Sequence, residues 1–96
     1  MFRFCYPLIL LATPLLAQDQ AELCTVSAEI AGLAVTERAA GAAQDRTAET
    51  ITIALDGPRA SYTAAVEPIV AWVYSLPEEQ LTADVAMAYE AACLAQ

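Results

Sequence analysis

The sequence predicts an all-α protein: a small bundle of about four helices closed by one disulfide and preceded by a signal-peptide helix. Three observations lead there. Alanine, the strongest intrinsic helix former, makes up 20 of the 79 residues from Gln18 onward. Apolar residues in that stretch recur at three- and four-residue steps, the period of a helix face. Two cysteines, Cys24 and Cys93, stand near its two ends.

Residues 1–17 have the order of a secretory leader. Arg3 precedes the apolar run Tyr6-Pro7-Leu8-Ile9-Leu10-Leu11-Ala12, and Thr13-Pro14-Leu15-Leu16-Ala17 leads to the polar Gln18-Asp19-Gln20. Pro7 and Pro14 interrupt the run, which falls short of the roughly 20 residues that a membrane helix needs. The expected division is a signal peptide, 1–17, and a mature helical domain, 18–96. Leu15 stands where a small side chain is normally wanted for cleavage after Ala17, so an uncleaved, tethered form is the alternative.

Over residues 20–40, Leu23, Val26, Ile30, Leu33 and Glu37 mark one helix face, and Cys24, Ala28, Ala31 and Val35 form the neighbouring stripe. An apolar arc that wide serves more than one packing partner. Gly41 ends the helix. Residues 47–55 fit either a strand or a helix. A short helix is the better choice, with Thr47 as N-cap and Glu49 in the first turn, because no second strand is at hand to pair with. Asp56-Gly57-Pro58 is a turn.

Across 61–76, Tyr62, Val66, Ile69, Val70 and Val73 share a third helical face. Pro68 means that this helix either kinks there or begins near Val66 with the proline in its first turn. Pro77 closes it, Glu78-Glu79-Gln80 turns, and Thr82 with Asp84 starts a last helix through Leu94. Val85, Tyr89 and Cys93 align on that helix at four-residue spacing.

Cys5 would leave with the leader, so the mature chain carries two cysteines, the number that closes one bridge. In a short secreted chain an even count argues for a disulfide, here Cys24 to Cys93. Phe4 and Leu23 precede Cys5 and Cys24 where a lipoprotein signal would have a small residue, which favours a soluble product. The pair reads as structural, since catalytic dithiols usually stand close together as Cys-x-x-Cys.

Removing residues 1–17 leaves Arg38, Arg46 and Arg59 against 12 acids, a formal net charge of −9 in place of −8, with no lysine or histidine. Such a surface repels phosphate backbones and anionic headgroups, so neither nucleic acid nor a lipid surface is an expected partner of the mature domain.

The same inventory argues against an enzyme. Serine or cysteine catalysis has no base, and common zinc sites lack ligands. Glu78 with Glu79, or Asp45 with Glu49, could do acid–base work, but such charge runs on a small helical domain are usually solvated faces. No stretch has the alternating Asp/Asn spacing with glycine that wraps calcium. No catalytic residue, metal site or cofactor is therefore expected.

The candidate interaction residues are Arg38, Trp72 and Tyr74. Trp72, Val73 and Tyr74 are consecutive and point about 100° apart on a helix, so if Val73 faces the core both rings lie on its flanks. Neighbouring helices cover both rings, or one is exposed as an anchor for a partner. Arg38 reads as a salt bridge pinning helices through Glu37 or Glu90, or as the capture site for an anionic ligand or a partner's carboxylate.

Cys24, Arg38, Gly41, the Val73-Tyr74 pair leading to Pro77, and Cys93 together give the mature chain an outline that resembles small secreted proteobacterial proteins of unknown function. The resemblance covers nearly all of the mature chain and implies a helical, disulfide-bonded fold without an activity. In size, compartment and paired cysteines the chain also looks similar to HdeA-type periplasmic acid chaperones, which differ in being lysine-rich. The expectation is a periplasmic or secreted non-catalytic protein-interaction or structural module with a protein partner. The runner-up is an acid-stress or holdase-type chaperone, whose apolar helix faces become available as its carboxylates lose charge.

Overall fold

A computed structural model describes the backbone of residues 5–96 and the side chains from residue 19 onward. Of the expected leader, 1–17, residues 1–4 and all of the side chains lie outside what is so described. Four α-helices follow one another: α1 (Cys5–Ala39), α2 (Gln44–Ala54), α3 (Val66–Ser75) and α4 (Asp84–Leu94). Two 3-10 segments, Gly57–Ala65 and Glu78–Gln80, join the last three helices. There is no strand among the described residues, and no helix long and apolar enough to cross a membrane.

Backbone helix runs from Cys5, so the expected start near Gln20 is not a boundary; no glycine or proline separates residues 15–23. The wide apolar arc is real but is centred differently from the first of the two stripes. Cys24, Ala28, Ile30, Ala31, Ala34 and Val35 are buried, whereas Leu23 and Leu33 are 44% and 42% exposed. The arc packs against α4 on one side and α3 on the other.

Gly41 takes φ +91°, a backbone region that side chains disfavour, and ends α1 as expected. Its N–H donates to the Arg38 carbonyl at 2.9 Å and that of Ala42 donates to Glu37 at 3.0 Å, the paired bonds of a Schellman cap.

The second helix is confirmed over the strand alternative, but it begins one turn before the expected cap. Ala43 is the N-cap and Asp45 the acid of the first turn. Thr47 is instead fully buried, because its hydroxyl is used in the interior. Asp56-Gly57-Pro58 turns the chain into the first 3-10 segment. The α-helical bonding begins at Val66, which places Pro68 in the first turn, where its missing donor costs little. The last helix starts at Asp84, as expected, with Ala83 as its N-cap, and the Thr82 hydroxyl just before it accepts the Asp84 N–H at 3.2 Å.

The core sits where α1, α2 and α3 converge. Ile30, Ile51, Val66, Val70 and Val73 are all at most 1% exposed. Full burial of such a side chain is worth roughly 1.5–3 kcal/mol. Four residues of α3 are buried but only Val85 of α4 is. The Cys24–Cys93 disulfide adds a covalent tie between α4 and α1, with Cα atoms 5.6 Å apart.

Candidate functional site

The three candidate interaction residues are divided by their surroundings. Val73 is fully buried, so Trp72 and Tyr74 do lie on its two flanks. Tyr74 turns inward. Its hydroxyl donates to the Ala42 carbonyl at 2.6 Å and, with its one proton so placed, accepts from Thr47 Oγ1 at 2.7 Å. It therefore joins α3 to α2 and to the loop after α1. Trp72 turns outward, 40% exposed, with its ring 5.6 Å from that of Tyr89 on α4.

Arg38 pins helices together, but through carbonyls and not through Glu37 or Glu90. Its Nη1 donates to the carbonyls of Val73 at 2.8 Å and Leu76 at 2.6 Å, at the end of α3, and its guanidinium carbon lies 5.7 Å from the Tyr74 ring centroid. A cation at a helix C-terminus satisfies acceptors that have no partner within the helix and opposes the negative end of its dipole. Both bonds come from Nη1.

Carboxylates tie the outer elements to α1. Glu29 pairs with Arg59, Glu22 accepts from the Tyr62 hydroxyl at 3.1 Å, and Glu90 lies 3.1 Å from the Thr25 hydroxyl. Desolvation against α1, followed by the hydrogen bond to Glu22 and the charges of Glu22 and Asp19, pushes the Tyr62 phenol above its ordinary 10.0. Asp45, Glu49, Glu78 and Glu79 are exposed. Among the described residues no three metal-ligating side chains are grouped.

Two surface features were not foreseen. A depression of about 530 Å³ lies on the α1–α4 seam, between Leu33 and Met87, with Met87 68% exposed. Another, of about 810 Å³, lies between α2 and the start of α3 and is edged by Asp45, Glu49 and Glu67. The signal for the first was present in the sequence as small residues, Ala28 and Gly32 on α1 and Ala86 on α4, but their mutual approach depends on how the bridge aligns the helices. Met87 and Tyr89 stand about 200° apart around α4, so the seam and the Trp72 ring occupy opposite flanks of that helix.

No family model, curated protein or solved structure matches the chain.

Proposed function

We propose that the protein is a non-catalytic interaction module of the periplasm or the extracellular space, acting by contact with another protein. The observation that carries this reading is the presentation of large apolar side chains, Trp72, Met87 and Leu33, on a bundle closed by a disulfide. A closed scaffold holds such anchors in place at small entropic cost, and exposed aromatic residues are favoured at interfaces. The bridge is compatible with an oxidising compartment.

The test is site-specific photo-cross-linking in cells that make the chain, with the photoreactive residue at position 72, 87 or, as a control, the exposed position 49. A discrete adduct from 72 or 87 and none from 49 is the expected result. No adduct from any position, together with turnover in substrate profiling, would replace the reading with catalysis.

A second reading, an acid-activated holdase, draws on the carboxylate ties of Glu22, Glu29 and Glu90, each joining α1 to another element. Protonation of Glu29 removes its ion pair with Arg59. Suppression of client aggregation in acid favours this reading, and failure to bind dye or clients below about pH 4 removes it.

A further inference from the structure

We infer that the Cys24–Cys93 bridge is made and opened through Cys93, the sulfur that a thiol–disulfide exchange partner attacks while the bundle stays folded. This goes beyond the interaction-module reading. It assigns a covalent exchange site and the class of molecule that uses it, a dithiol to open the bridge or its disulfide form to close it.

The two ends of the bridge differ in their surroundings. Cys24 has no exposed surface. It lies within the long helix α1, with helical backbone on both sides and the buried Ser27 and Ala28 in the following turn. Cys93 is half-buried in the last turn of α4, and Ala91, Ala92, Leu94, Ala95 and Gln96 around it are all exposed.

That last turn is also lightly held. The Ala95 N–H donates to the Ala91 carbonyl at 3.1 Å and the Gln96 N–H to the Cys93 carbonyl at 3.3 Å. From α1, the exposed Gln20 Nε2 donates to the Gln96 carbonyl at 3.2 Å. A segment with few buried contacts and solvent-exposed hydrogen bonds opens at a small part of the free energy of global unfolding. Fraying here uncovers Cys93, whereas Cys24 comes into reach only when α1 and α4 part.

Access then decides which sulfur reacts. A thiolate attacks in line with the bond it breaks, and attack on Cys24 would put it among the residues that leave Cys24 no surface. At Cys93 the thiolate forms a new bond to Sγ, the Cys24–Cys93 bond breaks, and Cys24 leaves as a thiolate that takes a proton from water. The second thiol of the dithiol attacks the partner sulfur of this mixed disulfide and releases Cys93, which is protonated in turn. The dithiol has then lost two electrons and the bridge has gained them. Closure by a disulfide donor reverses these steps, so Cys93 takes the donor first and the Cys24 thiolate expels it.

The test uses the bridged protein and the monothiol 2-mercaptoethanol, without denaturant. Reaction is stopped with acid at a series of short times, free thiols are blocked with N-ethylmaleimide, and peptide mass mapping locates the mercaptoethanol adduct. Extrapolation to zero time removes transfer of the adduct between the two cysteines. The expected result is at least about a fivefold excess of adduct on Cys93 over Cys24. A smaller excess, or an excess on Cys24, would overturn the proposal.

A second measurement separates local opening from unfolding of the bundle. Ala92→Gly loosens the last turn of α4 at an exposed position, and Ile51→Val weakens the core on α2. Under dithiothreitol, Ala92→Gly should open the bridge about threefold faster than the native chain, while Ile51→Val leaves the rate unchanged. Equal rates in the two variants, raised or not, would show that the last turn does not control access and would also overturn the proposal.

Discussion

The hydroxyl of Tyr74 meets that of Thr47 at 2.7 Å across the gap between α3 and α2, and Thr47 has no exposed surface at all. A buried hydroxyl is tolerated only with a partner, because leaving it without one costs its full desolvation. Twenty-seven residues separate the two in the chain, so this bond is a tertiary clamp.

Tyr74→Phe therefore removes more than one hydrogen bond: it leaves both the Thr47 hydroxyl and the Ala42 carbonyl short of a partner. The expected loss is about 1–3 kcal/mol in urea unfolding. Adding Thr47→Val to Tyr74→Phe should cost less than the sum of the two single changes, because the valine has no donor to strand. Strict additivity would show that the two hydroxyls do not depend on each other.

Arg38→Met keeps most of the side-chain stem and deletes the donors to Val73 and Leu76. Loss of hydrogen bonds from a charged group predicts a destabilisation of about 1.5–3 kcal/mol. The partners are carbonyls and not carboxylates, so the difference between native protein and variant should change little with added salt, whereas an exposed ion pair would be screened. A difference that collapses in salt would restore the carboxylate partner that the sequence suggests.

The case of Arg38 illustrates where sequence reading stops. Its role in pinning helices was legible from a lone cation near the end of the first helix. Its partners were not, since every residue carries a carbonyl and nothing in a sequence marks which one lies opposite. The same limit applies to α1. The breadth of its apolar arc was visible, but the exposure of Leu33 and the burial of Ala31 and Ala34 depend on where α3 and α4 lie. Val73 facing inward with its aromatic neighbours on either flank followed from helical geometry. That Tyr74 turns in and Trp72 out depends on Thr47, which sequence reasoning placed at a helix cap.

Tyr62 should titrate later than a free phenol. Desolvation, its bond to Glu22 and the neighbouring acid charges raise its pKa above 10.0, so the folded protein holds that proton more tightly than the unfolded chain does. The resulting stabilisation is fully present below about pH 10 and is lost as pH rises through the folded value. Ultraviolet difference titration, compared with Tyr62→Phe, isolates the group. Glu22→Gln should bring its midpoint down by removing the adjacent charge, and an unmoved midpoint would mean that Glu22 does not act on it.

Reduction of the bridge should act on α4 first. Cys24 is fully buried in the α1 arc and Cys93 lies in the last turn of α4, where Val85 is the only buried residue of the helix. α3 keeps four buried residues whether or not the bridge is closed. Cross-linking positions 69 apart contributes about 4 kcal/mol in the chain-entropy model. The reduced protein should therefore unfold at lower urea by about that amount, and its amide exchange should accelerate over residues 84–94 before residues 66–75. Simultaneous acceleration in both segments would mean that α4 is integral to the core and that the bridge stabilises the whole bundle alike.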